Sequence, residues 1–108
     1  MISFHFASFS SEKVLAQELV KKLSIELPAT LMENRRKVLS VNKITRLLEQ
    51  TYLMAYNYQR LHKIGFIKRS VLANYFKWEL KNSKYPSDFI EMATEGLIVA
   101  LTKVELIR

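Results

Sequence analysis

The 108-residue chain is the size of one ordinary domain, and with 49% hydrophobic residues it can bury a core of its own. It has no cysteine, which excludes disulfides and thiolate metal sites, and only two glycines and two prolines, too few for the many tight turns of a β-rich fold. The formal net charge of +7 is concentrated in the middle, where residues 35–84 carry twelve Lys and Arg against Glu49 and Glu79.

A basic middle between slightly acidic ends is a localised field, suited to a polyanion or to an acidic protein surface. The plainer reading is a solvated basic face that keeps the chain soluble. The most apolar run, Gly96 to Leu101, falls far short of the ~20 residues a bilayer span needs. The N-terminus lacks a basic stretch followed by an apolar core, so no secretory signal is read and a cytoplasmic location without membrane contact is expected.

Residues Ile2 to Phe9 alternate apolar and polar, the period of a strand, so a short extended N-terminal segment over 1–9 is expected. It could pair with another chain, pair with its own copy, or lie over the helices. Ser10 suits the N-cap of a first helix, with Phe9 and Val14 at the staple positions. Val14, Leu15, Leu19, Val20, Leu23 and Leu27 recur at helical spacing until Pro28 ends the run. Thr30 and Glu33 make a T-x-x-E capping box for a new helix that carries Arg35, Arg36 and Lys37. Whether 31–64 forms one helix or two is open, because Ser40 could cap a fresh start.

A long central helix is expected over Val41 to Ile64, with Val41, Ile44, Leu47, Leu48, Thr51, Ala55, Tyr58 and Leu61 as its buried stripe. Tyr52 and Tyr56 stand one turn apart on one side. Gly65 follows His62 and Lys63, as expected of a glycine in the left-handed conformation that ends a helix. A further helix over Phe66 to Asn82 presents Ile67, Val71, Leu72, Tyr75, Phe76 and Trp78 as a wide apolar face. Pro86 suits the first position of a last helix, whose core would be Phe89, Ile90, Ala93, Leu97, Ala100, Leu101 and Val104. Gly96 inside it costs ~1 kcal/mol relative to alanine, which close approach of a neighbouring helix would explain.

No constellation names a reaction. His5 and His62 have no spaced partners resembling a metal site, and Glu49 and Glu79 stand isolated in the basic block. No catalytic residue, metal or cofactor is expected, and the chain is read as a non-enzyme. Nucleic-acid binding fits better, with phosphates meeting Arg35, Arg36, Lys37, Lys43, Arg46, Arg60, Lys63, Lys68 and Arg69 first, and Lys77, Lys81 and Lys84 second. Tyr52, Tyr56, Tyr75, Trp78 and Tyr85 could stack unpaired bases where they stand exposed, though Tyr58, Tyr75 and Trp78 read rather as core.

The run Leu61 to Arg69 resembles the junction in winged-helix regulators where the recognition helix ends and the wing begins, which would imply a β-hairpin over Val71 to Leu80. In being small, basic and helical, the chain is similar to the small subunits of CRISPR effector complexes and to four-helix proteins of mobile elements. The expected object is all-α, a single domain of four or five helices with a short extended N-terminal segment. Its expected role is to grip RNA or single-stranded DNA within a larger ribonucleoprotein or DNA-processing assembly. The main rival is a regulatory adaptor whose basic face binds an acidic protein, other subunits or a second copy.

Overall fold

A computed structural model describes the backbone of residues 2–30 and 41–107 and the side chains of 10–30 and 42–102. These residues are all-helical. Four helices are described: α1 (Ile2–Glu26), α2 (Val41–His62), α3 (Phe66–Asn82) and α4 (Ser87–Ile107). Ala29 and Thr30 are also helical. The Thr30–Glu33 capping box, Arg35, Arg36, Lys37, and the side chains of Val41 and Val104 lie outside the described residues.

The backbone is helical from Ile2, where the sequence predicts an extended segment and a helix start at Ser10. A lone strand leaves its N–H and C=O groups unpaired, whereas a helix satisfies them within the segment. No glycine or proline interrupts residues 1–27. Ser10 therefore lies within the helix, and Val14 is 55% exposed rather than stapled to a cap. Pro28 does end α1, which stops at Glu26.

The helices pack as a ring. α1 lies against α2 and α3, and α4 lies against the same two, so α2 and α3 stand across the bundle from each other. Each helix contributes a buried row at helical spacing: Ala16, Leu19, Val20, Leu23 and Leu27 from α1 and its end, and Leu72, Ala73, Phe76 and Leu80 from α3. α4 contributes Phe89, Ile90, Ala93, Leu97 and Leu101, as its sequence predicts, with Ala100 partly buried.

On α2 the stripe is real but shifted at its end. Leu47, Leu48, Thr51 and Ala55 are buried and Ile44 and Tyr58 pack against the core, but Leu61 is 80% exposed and Gln59 is buried in its stead. The core also encloses Glu12. The Tyr58 hydroxyl donates to Glu12 Oε2 at 3.2 Å, while Glu12 Oε1 and Gln59 Oε1 have no partner. Such orphaned acceptors cost about 1–3 kcal/mol each.

At the α2–α3 corner the left-handed residue is Lys63, with φ 50°, and not Gly65. Gly65 sits at φ −88°, ψ −170° as the N-cap of α3, its carbonyl accepting from Arg69 N–H at 3.0 Å. The left-handed turn falls directly after the last helical residue, two positions before the glycine that composition suggested.

The end of α3 is a Schellman motif: Lys84 N–H donates to Lys81 O and Tyr85 N–H to Leu80 O. Lys84 occupies the left-handed position at φ 73°, where a side chain costs about 1–2 kcal/mol and glycine costs less. Lys84→Gly is therefore expected to raise stability by about 1 kcal/mol, once glycine's larger unfolded-state entropy is subtracted. The midpoint of urea unfolding measures it, and a fall in the midpoint would contradict it.

The loop after that motif is anchored to α1. Tyr85 is buried, its ring stacked on Phe89 with centroids 5.1 Å apart, and its hydroxyl donates to Leu27 O and lies 3.3 Å from Ser24 Oγ. Pro86 is one position earlier than expected: its carbonyl accepts from Ile90 N–H, so Ser87 opens α4. Asp88 sits in the first turn, where it complements the helix dipole.

Candidate nucleic-acid interface

α3 is apolar on nearly every side, so which side is buried is settled by its neighbours. Leu72, Ala73, Phe76 and Leu80 turn inward. Trp78 is two residues past Phe76, about 200° around the helix, and is 52% exposed. This corrects the reading of Trp78 as core; Tyr75 is partly buried against the core as expected. Phe66 and Ile67 are also exposed, at 74% and 66%.

The outer face of α3 therefore carries Phe66, Ile67, Ser70, Asn74, Lys77, Trp78 and Lys81, an aromatic and cationic surface on one helix. Lys81 Nζ stands over the Trp78 ring, 5.1 Å from its centroid, a cation–π contact that sets the ammonium on one face of the indole. Arg69 and Lys77, eight residues apart, share the edge that faces α4. There a groove of about 410 Å³ opens between α3 and α4, walled by Phe66, Ala73, Ile98 and Leu101. Ser70, Asn74, Thr94 and Thr102 also line it, and no carboxylate is among the described residues that do.

The other cations predicted for the site lie elsewhere. Lys43 and Arg46 are exposed on α2, across the bundle, and Arg60 is exposed in its last turn, near the corner with α3. Lys63 is exposed at the corner, and Lys84 in the loop after α3. Lys68 is partly buried, and nine residues separate it from Lys77, about half a turn off in direction. Lys43 and Arg46 are thus set apart from the cations of α3, because α1 and α4 are packed between α2 and α3. Beside α3, the exposed side of α4 carries Asp88, Glu91 and Glu95, so the cationic surface ends at the groove.

The two tyrosines proposed as stacking platforms are placed differently. Tyr52 is directed into the bundle: its hydroxyl donates to Ala93 O at 2.8 Å and its ring covers Gly96. Burial pushes the Tyr52 phenol up to about 12. Burial likewise holds the Tyr58 and Tyr85 phenols above the ordinary value. Tyr56 is partly buried on the same helix. His62 stacks on Tyr58 at 4.2 Å between centroids. Phe66 is the exposed ring that sequence reasoning missed, and Trp78 the one that it weighs for stacking and assigns to the core; their interleaving with Lys77 and Lys81 at helical spacing was the available signal.

The raised Tyr52 value carries a pH dependence. A phenol whose folded value exceeds its unfolded value of 10 contributes fully to stability below pH 10. That contribution is lost as pH rises from 10 through about 12. Alkaline titration of phenolate absorbance is expected to show a tyrosine ionising near 12 that disappears in Tyr52→Phe. Survival of that step in the variant would refute the assignment.

The β-hairpin that a winged-helix regulator requires after Leu61 to Arg69 is not formed, since 66–82 is one helix. Among the described residues no group of three or more histidines or carboxylates is gathered around a potential metal position, and no helix is long and apolar enough to cross a membrane. No known family, curated protein or solved structure compared with the chain matches it.

Proposed function

We propose that the chain is a non-enzymatic helical subunit that grips RNA or single-stranded DNA along the outer face of α3, as part of a larger ribonucleoprotein or DNA-processing assembly. The observation that carries this reading is Trp78, half exposed and flanked by Lys77 and Lys81 on one helix face, with Phe66 exposed further along it. Proteins that hold single strands combine cations that track phosphates with rings on which bases stack. Either feature alone has commoner explanations; their alternation along a helix that could have buried its aromatic rings is what favours this ligand. The subunit works in the cytoplasm on this reading.

Trp78 is the only tryptophan, so its fluorescence reports directly on the face in question. A mixed-sequence single-stranded oligonucleotide is expected to quench it at ~50 mM salt, with affinity falling steeply as salt rises. Absence of binding at that salt overturns the reading.

One observation favours an adaptor as the second reading. Leu61, Phe66 and Ile67 are all more than 60% exposed at the α2–α3 corner beside Arg60 and Lys63. Aromatic, aliphatic and arginine side chains together are the composition of protein–protein hot spots. On that reading an acidic protein, and no oligonucleotide, would shift the Trp78 emission.

A further inference from the structure

We infer that the groove between α3 and α4 accepts one unstacked base of the bound strand, an inference that rests on the nucleic-acid reading above and specifies its mode. The groove's volume of about 410 Å³ lies within the ~300–1,000 Å³ of small-ligand pockets. Its walls suit a flat ring. Phe66 and Ile98, 74% and 47% exposed, supply apolar faces from the two helices, and the small Ala73 leaves depth between them.

The groove's polar groups suit the edge of a base. The Asn74 amide offers both donors and an acceptor, and Ser70 a hydroxyl that serves as either. Its charge suits what flanks a base. Arg69 and Lys77 stand one on either side of Ala73, about 12 Å apart along the axis at ~1.5 Å per residue. A nucleotide can lie between them with its neighbouring phosphates on the two cations. Arg69 has five donors, so it can serve a phosphate in addition to a contact within the protein. The described lining holds two cations and no carboxylate, while Glu91 and Glu95 on the exposed side of α4 bound the groove and leave its positive side on α3.

A strand held this way presents its backbone to α3 and turns a base inward, so the site distinguishes single strands from duplex without reading a long sequence. It also explains why the outer face of α3 leaves Phe66 in solvent: the ring is one wall of a site that is complete only with the ligand in it.

The test compares a mixed-sequence single-stranded oligonucleotide with one of equal length and charge carrying abasic sites, both end-labelled and read by anisotropy at ~50 mM salt. The wild-type chain is expected to bind the base-bearing strand about tenfold to hundredfold more tightly, the range stacking on an aromatic ring supplies. Phe66→Ala should shrink that difference several-fold, Trp78 supplying what remains, while leaving the abasic strand's affinity unchanged. Ile98→Trp, which fills the groove from its other wall without altering charge, should do the same. Both residues are exposed, so the fold is expected to survive. Equal binding of the two strands by the wild-type chain, or a difference that both variants retain, overturns the groove as a base site while the phosphate-gripping reading stands. No binding of either strand overturns both.

Discussion

Gly96→Ala is expected to destabilise the fold by about 1 kcal/mol, although alanine is the better helix former by ~1 kcal/mol. A Cβ built at Gly96 would lie 2.7 and 2.9 Å from the Cζ and Cε2 atoms of Tyr52, closer than carbon atoms pack. The ring cannot simply move aside, because its hydroxyl is fixed on Ala93 O, one turn before Gly96 in the same helix. Shifting the ring gives up that bond, about 0.5–1.5 kcal/mol. Parting α2 from α4 instead loosens the core, an overpacking penalty of about 1–3 kcal/mol. The two routes outweigh the gain in helix propensity.

A double-mutant cycle isolates the cause. In a Tyr52→Ala background the obstruction is gone, and Gly96→Ala should then stabilise by ~1 kcal/mol, the propensity difference alone. The change of sign between backgrounds is the expected result. If Gly96→Ala stabilises the wild-type chain as well, the two helices do not approach as closely as the ring contact requires.

The paired substitution Lys77→Glu and Lys81→Glu is expected to lower affinity for a single-stranded oligonucleotide about a hundredfold at ~50 mM salt and to flatten its salt dependence. Each phosphate contact on a single strand contributes a slope of ~0.7 in log affinity against log salt, so losing two should reduce the slope by ~1.4. Both side chains are exposed, so stability should stay within about 0.5 kcal/mol of wild type. The same reversal at Lys43 and Arg46 changes charge equally but on α2, across the bundle. It should alter affinity by only a few-fold, the residue of long-range screening. The contrast decides which of the two basic surfaces meets the ligand. A larger loss from the α2 pair would place the interface there and leave α3's aromatic face to another partner.

The parts of the fold that could be read in advance are those where polar and apolar residues separate cleanly. α4 is the best case: Phe89, Ile90, Ala93, Leu97 and Leu101 are its buried residues, as their spacing predicts. The helix stops near Pro28, His62 and Asn82 were legible because proline and the loss of period act locally. α3 shows the opposite. Phe66, Ile67, Val71, Tyr75 and Trp78 compete with Leu72, Phe76 and Leu80 for the inside, and nothing local ranks them. The candidate interface shows the same limit: its cations were visible, but Trp78 reads as core, and Tyr52, which reads as a stacking ring, is held by Ala93 and Gly96.

The sequence by itself determined that this is a helical, cysteine-free, basic chain and where most of its helices end, and it marked Gly96 as a residue that close approach of a helix would explain. Those properties follow from composition, from a period of 3.6 residues and from the backbone limits of proline, all of which act within a few positions of chain. Only the tertiary structure decided that Trp78 faces out, that Glu12 and Gln59 lie inside, and that Lys43 and Arg46 stand across the bundle from α3. Each of those depends on which helix lies next to which. α1 and α4 both insert between α2 and α3, and the burial of any one side chain is then set by a partner distant in sequence.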